Sequence, residues 1–453
     1  MKKVFFSILV LVQTGSTSLF AQNWQNLGFT LDRQVNVLFT DTISNLLYVG
    51  GSGFTYINGN YIRGIFYWDG TNYHNMGSGI DLGGTPGSVS AINRYQNEIY
   101  VGGGFSYVGG HYSKGFAGWN GISWDSIGCN GAVLDIEIFN NEMYVCGTFD
   151  SIAGIPAHYA AKFNGSTWSA INCPTSLSGI VARIAVYNGE TYIGGSFAST
   201  QITFRNIVKY NGFTWSNLGN GVPGSISEVS NFEIYQNELY VMGRFLTSNG
   251  NASTSIMKWD GSNWSAAGNG VNGINPAVFS SLICNGKLYV VGTFIIASGI
   301  PADKIAVWDG LKWCAFGDTF NNSIGTIAVY NNQLIIAGGF TQIDTDSTYT
   351  YMAKWIGGSF IDTCSVEFTG VEEISYNEEV NIYPNPVSSI LTVRAEKERI
   401  KNICVMNALG EILLKEEVNE KESNVDISTL AKGMYFVQLI SKDKKTTLKF
   451  IKQ

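Results

Sequence analysis

One pattern recurs seven times along the 453 residues and restricts the fold more than any other feature. Each copy carries an apolar–Tyr–Val–Gly–Gly-like core, then a Phe, a variable stretch, and an aromatic–Asp/Asn–Gly–x–x–aromatic element. The core falls at Tyr48, Tyr100, Tyr144, Tyr192, Tyr240, Tyr289 and Ile335. The second landmark falls at Trp68, Trp119, Phe163, Tyr210, Trp259, Trp308 and Trp355. Successive copies lie 44 to 52 residues apart, so the two series keep step. A period of this length, written in short β-rich pieces, indicates a propeller or a solenoid.

Within the third copy, Val133 to Phe139 is apolar with partial alternation, and Met143-Tyr144-Val145 follows after Asn140-Asn141. Two apolar runs separated by an Asn/Gly-type pair predict a tight hairpin, because both turn residues need positive φ. The same device recurs as Gln96-Asn97, Asn188-Gly189, Gln236-Asn237, Asn285-Gly286 and Asn331-Asn332. A second hairpin is marked by Asp69-Gly70, Asn120-Gly121, Asn164-Gly165, Asn211-Gly212, Asp260-Gly261 and Asp309-Gly310, each between aromatic strands. Every unit thus holds four strands, a to d, with tight a–b and c–d turns, which is the plan of a propeller blade. Trp24-Gln25-Asn26-Leu27-Gly28 repeats the fourth-strand pattern of Trp124-Asp125-Ser126-Ile127-Gly128. The N-terminus is therefore expected to complete the last blade and remove an exposed edge; Ser359-Phe360-Ile361 competes for that place.

The fold class read from this pattern is all-β. A seven-bladed β-propeller of four-stranded blades covers residues 22–365, and a small C-terminal β-sandwich domain follows. The repeat resembles Kelch-like and galactose-oxidase-like secreted propellers bearing a Gly-Gly-x-Phe…Trp-Asp-Gly-x-x-Trp unit. That resemblance implies shape and not activity. Sialidase Asp-boxes place one residue between Asp and Gly, whereas Asp260 and Gly261 are adjacent. Paired His ligands beside a Tyr, as in copper-radical oxidases, are not evident, and no cofactor is expected.

Residues 1–21 read as an export signal: Lys2-Lys3 is basic, Val4 to Val12 is mostly apolar, and Leu19-Phe20-Ala21 offers a cleavage site. The apolar run is too short to span a bilayer, and no transmembrane segment is expected elsewhere. Without Lys2 and Lys3 there remain 26 Lys and Arg against 35 Asp and Glu, a net charge of −9. No basic stripe for nucleic acid is present. Seven cysteines, Cys129, Cys146, Cys173, Cys284, Cys314, Cys364 and Cys404, form no metal knuckle. Most are expected to be small core residues.

Composition changes near residue 366: residues 372–453 hold 25 charged residues in 82, and residues 1–371 hold only 38. Residues 366–376 read as a linker and 377–453 as a separate β-domain. Its pieces are Asn381-Ile382-Tyr383-Pro384-Asn385-Pro386, Met406-Asn407-Ala408-Leu409-Gly410, Val425 to Leu430, Lys432-Gly433-Met434-Tyr435-Phe436-Val437 and Lys449 to Gln453. In that order they resemble the type A sorting domain of the Bacteroidetes type IX secretion system. The resemblance marks Tyr383, Pro384, Asn385, Pro386, Gly410, Gly433 and Tyr435 as the sorting motif. It implies recognition by the type IX translocon, removal of the tail, and release or attachment at the outer-membrane surface. Asp41-Thr42-Ile43, Asp125-Ser126-Ile127 and Asp150-Ser151-Ile152 resemble Bacteroidetes O-glycosylation triplets.

Chemistry is sparse. His74, His111 and His158 are the only histidines and fall in different units, so neither a metal site nor a Ser-His-Asp triad is expected. Asp344-Thr345-Asp346 lacks the remaining ligands of a Ca²⁺ loop. Asp135 and Glu137 alternate on one a-strand, and Glu228 and Glu233 lie in or near another. Such carboxylates either line a wet channel, pair with Arg94 or Arg183, or form an acid–base pair for glycan chemistry. The b–c and d–a connections are read as long and different in every copy, and ligand residues favour variable loops on a rigid frame. The candidate ligand-binding residues are accordingly Tyr61, His111, Tyr112, His158, Arg205 and Tyr351. The function read from the sequence is recognition of a glycan or a surface protein, with a glycan-active hydrolase or lyase as the alternative.

Overall fold

The computed structural model describes residues 23–199, 205–224, 226–316, 318–356, 380–395, 399–407, 412–440 and 445–453. The export signal, the 366–376 linker, Ser359-Phe360-Ile361 and Gly410 lie outside these residues. The chain divides into two compact units, Met1–Ser365 and Val366–Gln453.

In the first unit the described residues form seven four-stranded antiparallel sheets, each in the order a-b-c-d. The a-strands are Val35–Asp41, Ser88–Tyr95, Val133–Phe139, Leu177–Tyr187, Glu228–Tyr235, Val278–Cys284 and Ile324–Tyr330. Each packs beside the a-strand of the next sheet, and the last packs beside the first, an arrangement that is β-propeller-like. The seventh sheet takes its fourth strand from Trp24–Gln25, with Trp24 opposite Trp355 and Gln25 opposite Lys354.

The a–b turns have the expected geometry: φ is +48° and +59° at Asn140 and Asn141, and +50° and +76° at Asn188 and Gly189. The c–d turns are longer than an Asp-Gly pair. Trp68 pairs with Tyr73, leaving four residues between them, and Asp69 Oδ1 accepts the amides of Thr71 and Asn72 at 2.8 and 2.7 Å. The leading Asp or Asn satisfies the turn amides, and Gly70 takes φ +97°.

Every a-strand also carries a bulge that sequence alternation did not disclose. One residue is skipped in the a–b pairing at the same place in each sheet: Asn36, Ser90, Leu134, Ala182, Ser230, Phe279 and Gly325. A bulge bends and twists its strand, and it frees polar groups to reach the neighbouring sheet. Asn36 donates to Val89 O at 3.1 Å, Ser230 to Val278 O at 2.5 Å, and Thr326 Oγ1 accepts Leu38 N at 3.2 Å. At the opposite end of the a-strands, tyrosine hydroxyls donate to the next a–b turn. Tyr95 reaches Asn141 O at 2.8 Å, Tyr187 reaches Asn237 O at 2.8 Å, and Tyr330 of the seventh sheet reaches Asn45 O of the first at 3.0 Å.

Between sheets the repeated aromatics form the core. Trp68, Trp259 and Trp308 are 4%, 4% and 3% exposed, and the repeated phenylalanines Phe54, Phe105, Phe149, Phe197, Phe245, Phe294 and Phe340 are all buried. A fully buried aromatic of this kind is worth ~1.5–3 kcal/mol over an exposed one. Cys129, Cys146, Cys173 and Cys404 are buried free thiols, Cys284 is a half-buried one, and Cys314 is disulfide-bonded.

The second unit contains a three-stranded sheet (Val380–Tyr383, Ile390–Ala395, Glu422–Asp426) and a four-stranded sheet (Ile400–Met406, Ile412–Glu420, Gly433–Ile440, Lys445–Lys452). Leu391, Val393, Ile403, Val405, Val437 and Phe450 share one buried core.

Candidate ligand-binding face and channel

The b–c connections are more regular than their sequences imply, and this corrects the expectation that every copy differs. Four of them contain the same two-residue β-hairpin: Tyr56 to Tyr61, Tyr107 to Tyr112, Ser151 to Pro156 and Ile296 to Pro301. Their turns are Asn58-Gly59, Gly109-Gly110, Ala153-Gly154 and Ser298-Gly299, all at positive φ. Ile57, Val108, Ile152 and Ala297 anchor them, each with no exposed surface. The signal was the x-Gly pair preceded by a small or branched apolar residue. Different side chains at the remaining positions hid it. The d–a segments pair onto these hairpins: Ile80–Asp81 onto Tyr107–Val108, and Val271–Asn272 onto Ile296–Ala297.

A second regularity follows four residues before the aromatic landmark. Gly64, Gly115, Tyr159, Asn206, Ser255, Lys304 and Tyr351 all adopt left-handed backbone, with φ between +61° and +71°. In most copies this residue donates its amide to the buried Phe, as Gly115 N does to Phe105 O at 3.0 Å and Tyr351 N to Phe340 O at 3.1 Å. It accepts from the Gly-Gly core, as Gly115 O does from Gly103 N at 3.2 Å. The joint turns the chain from the hairpin back into the c-strand. Non-Gly residues are held there against a cost of ~1–2 kcal/mol each.

The six candidate residues sit in five of the units. Tyr61, His111 and Tyr112 are exposed at the ends of b–c hairpins. His158 and Arg205 occupy the position just before the left-handed joint, and Tyr351 is the joint itself. Tyr351 is half-buried against the core that joins the seventh and first sheets. The His158 Nδ1 lies 2.5 Å from Asp150 Oδ1, and its ring lies against Tyr159 at 3.9 Å. Arg205 is exposed. Tyr112 borders a cavity of about 340 Å³ with Lys114, Ser126, Asn130 and Ser151. Tyr61 borders one of about 240 Å³ with Arg63, Asn75 and Ser78. Thr42 and Ser126 of the Asp-Ser/Thr-apolar triplets are exposed, and Ser151 is half-buried. His74 stacks on Tyr67 at 4.9 Å and contacts Asp69 at 2.7 Å. Asp344 and Asp346 cap turn amides of Thr319 and Thr348.

The a-strands enclose a polar channel. A cavity of about 200 Å³ is lined from all seven, including Asn36, Ser90, Asp135, Arg183, Asn231, Ser281 and Thr326. Asp135 Oδ2 accepts Ile184 N at 2.9 Å, and burial pushes its carboxyl above the usual range against the opposing charge of Arg183. Glu137 is pushed up to about 8, first by burial and then by the charges of Asp135 and Glu233. Glu233 is also raised by burial, although Ser281 Oγ donates to it at 2.9 Å. These carboxylates keep some accessible surface, but protein encloses them on most sides. Glu137 thus feels the charges of both Asp135 and Glu233, whereas Glu228 pairs with Arg244 at 3.8 Å. Arg94 forms a two-point pair with Asp41 at 2.8 and 2.6 Å rather than with the channel carboxylates. Burial alone raises Asp41, but Arg94, Ser44 and the Ile43 amide outweigh it and hold the carboxyl below its ordinary value.

In the tail, Tyr383-Pro384 and Asn385-Pro386 are cis. This first motif meets the chain end: Asn385 Oδ1 accepts Ile451 N at 2.9 Å, and Val387 exchanges backbone bonds with Ile451 and Gln453. Gly433 opens a strand, and Tyr435 stacks on Phe450 at 5.8 Å.

Residues 381–453 match the secretion system C-terminal sorting domain family. The protein is secreted or displayed at the cell surface. Its tail directs an interaction with the type IX machinery. Among the described residues no helix is long and apolar enough to cross a membrane. No curated protein matches the chain. Among solved structures it is similar to PorZ, an essential surface component of the type IX secretion system of Porphyromonas gingivalis (13% identity, 93% of this chain, 60% of that one, TM-score 0.43). It is similar to the extracellular domain of a hybrid two-component system from B. thetaiotaomicron (11%, 95% and 59%, 0.43). A GH74 enzyme of Niastella koreensis is a third (13%, 82% and 59%, 0.45). The chain spans about 60% of the length of these proteins.

Proposed function

We propose that the chain is a type IX-exported, seven-bladed β-propeller of the Kelch-like kind, followed by a β-sandwich sorting domain. On this reading it binds a glycan or a surface protein through the face built by its b–c and d–a connections. The observation that carries it is the pair of cavities beside Tyr61 and Tyr112. The larger, at about 340 Å³, lies in the size range of small-molecule sites, which starts near ~300 Å³, and the smaller, at about 240 Å³, falls below it and serves as an adjoining subsite. An exposed Tyr beside Ser and Asn side chains combines a stacking surface with hydrogen-bonding groups. Ligand arrays probed with the purified chain test this reading: retention of a glycan or surface protein, lost on Tyr112→Ala, supports it.

The second reading is glycan hydrolysis or cleavage by channel carboxylates. The favouring observation is that burial raises Asp135, Glu137 and Glu233 and that the charges of Asp135 and Glu233 both act on Glu137, since titrating groups pushed far from their ordinary values cluster at active sites. Space counts against it: the channel cavity, at about 200 Å³, falls below that ~300 Å³ range. Turnover of a polysaccharide panel that disappears in both Glu137→Gln and Glu233→Gln would favour the enzyme.

A further inference from the structure

The residue immediately before the left-handed joint is Arg63, Lys114, His158 and Arg205 in the first four units, then Thr254, Asp303 and Thr350. Lys, Arg and His together make 31 of 453 residues. Four basic side chains in succession at one structural position are therefore not a consequence of composition, in a chain whose net charge is −7. The first two of these units also carry equivalent cavities. Tyr61, Arg63 and Asn75 line one, and Tyr112, Lys114 and Ser126, each 51 residues later, line the other.

We propose that this basic arc binds an acidic polysaccharide, a polymer whose repeating sugar carboxylates meet successive units. The inference rests on the ligand-face reading above and names its substrate class. Tyr61 and Tyr112 are 52% and 65% exposed and, beside their edge-to-face contacts with Tyr56 and Tyr107, keep aromatic surface for sugar packing. Arg63, Lys114 and Arg205 supply the charge selection, whereas His158 is paired with Asp150 at 2.5 Å. Arg63 is partly neutralised: Nη1 donates to Asp81 at 2.7 Å and Nε to the Tyr61 hydroxyl at 2.6 Å. Lys114 differs, because its ammonium donates to the neutral Asn130 carbonyl at 2.7 Å. The larger cavity thus holds a positive charge whose hydrogen-bond partner does not cancel it, with Ser126, Asn130 and Ser151 beside it for sugar hydroxyls. Repetition suits a repeating ligand: engaging a second site on one polymer raises apparent affinity through effective concentration.

The test uses the full chain in calorimetric titrations. The probes are polygalacturonate, alginate and hyaluronate against methyl-esterified polygalacturonate, laminarin and dextran, with a single-stranded oligonucleotide as a non-sugar polyanion. The expected result is at least one uronate polymer bound about tenfold more tightly than the neutral polymers, the difference one charge-assisted hydrogen bond supplies. Lys114→Gln should erase that preference without shifting the melting temperature. Equal affinity for polygalacturonate and its methyl ester, binding of none of the uronates, or equal affinity for the oligonucleotide would overturn the proposal. Neutral glycans bound and then lost in Tyr112→Ala would overturn the acidic class while leaving the ligand face intact. A protein partner retained on that face would do the same.

Discussion

Trp24 lies opposite Trp355 in the antiparallel register of the seventh sheet, with ring centroids 5.0 Å apart at 77°. The pair joins the start of the described chain to the last c-strand. Trp24 is 1% exposed, and its indole donates to Asp318 Oδ2 at 3.0 Å. Replacing it by Ala removes a buried ring and takes one of several hydrogen bonds from a buried carboxylate. Trp24→Ala is expected to cost ~3–5 kcal/mol, the usual range for a core aromatic. Urea unfolding measures this, and a loss below ~1 kcal/mol would mean that another segment completes the sheet.

A left-handed joint and a hairpin turn of the same unit give a paired prediction. A Cβ at Gly115 would stand 2.3 Å from Gly131 O and 2.6 Å from Cys129 Sγ, whereas one at Gly110 would meet nothing within 4 Å. Both residues have positive φ, +71° and +85°. Gly110→Ala should cost only the ~1–2 kcal/mol of left-handed backbone. Gly115→Ala should cost clearly more, because backbone must also move. Thermal melts of the two variants, compared side by side, separate conformational from steric cost, and equal losses would contradict the crowding.

The channel carboxylates make stability depend on pH. Glu137 has a folded pKa of about 8, set first by burial, against ~4.3 for an unfolded Glu. The folded state therefore holds the proton more tightly. Its contribution is fully present below about pH 4 and is lost as pH rises toward 8. Glu137→Gln should flatten the decline of stability between pH 5 and about 8, and make the protein more stable than wild type above that window. Denaturant midpoints across the pH range measure it; parallel curves for the two proteins would contradict the burial of that carboxyl.

Much of this architecture was legible because each unit repeats its own turn chemistry. Asn140-Asn141 and Asp69-Gly70 announce their hairpins with residues that only a turn requires. Trp24 announced its strand by copying Trp124. The bulges were not legible: Asn36, Leu134 and Phe279 share a position but no chemistry, since a bulge constrains backbone rather than side chain. The left-handed joint was hidden similarly, because Gly64 declares it while Tyr159, Lys304 and Tyr351 do not. Arg63 and Lys114 were absent from the candidate residues because their alignment with His158 and Arg205 emerges only from that joint. The grouping of Asp135 and Glu137 followed from strand alternation, but the approach of Glu233 from two sheets away needed the closed channel.

The tail makes a cellular prediction. Its first motif and chain end meet through Asn385 and Ile451. Deleting residues 377–453 should leave the first unit folded, because that unit has its own closed set of sheets, but retained in the periplasm. Fractionation of host cells expressing the truncated chain, with limited proteolysis to check folding, measures both outcomes. Normal appearance of the truncated chain outside the cell would contradict the sorting role.

The most direct test of the ligand-face account compares variants on opposite sides of the sheets. Tyr61→Ala and Tyr112→Ala alter the b–c hairpins, and Ile122→Ser and Phe213→Ser alter exposed c–d turn tips that are 88% and 90% exposed. All four are expected to melt as wild type does. Binding affinity for the glycan or protein retained by the wild-type chain should fall about tenfold or more in the two Tyr variants and stay unchanged in the two turn variants. Unchanged binding in the Tyr variants, with loss in Ile122→Ser or Phe213→Ser, would place the ligand on the c–d turns and contradict the account.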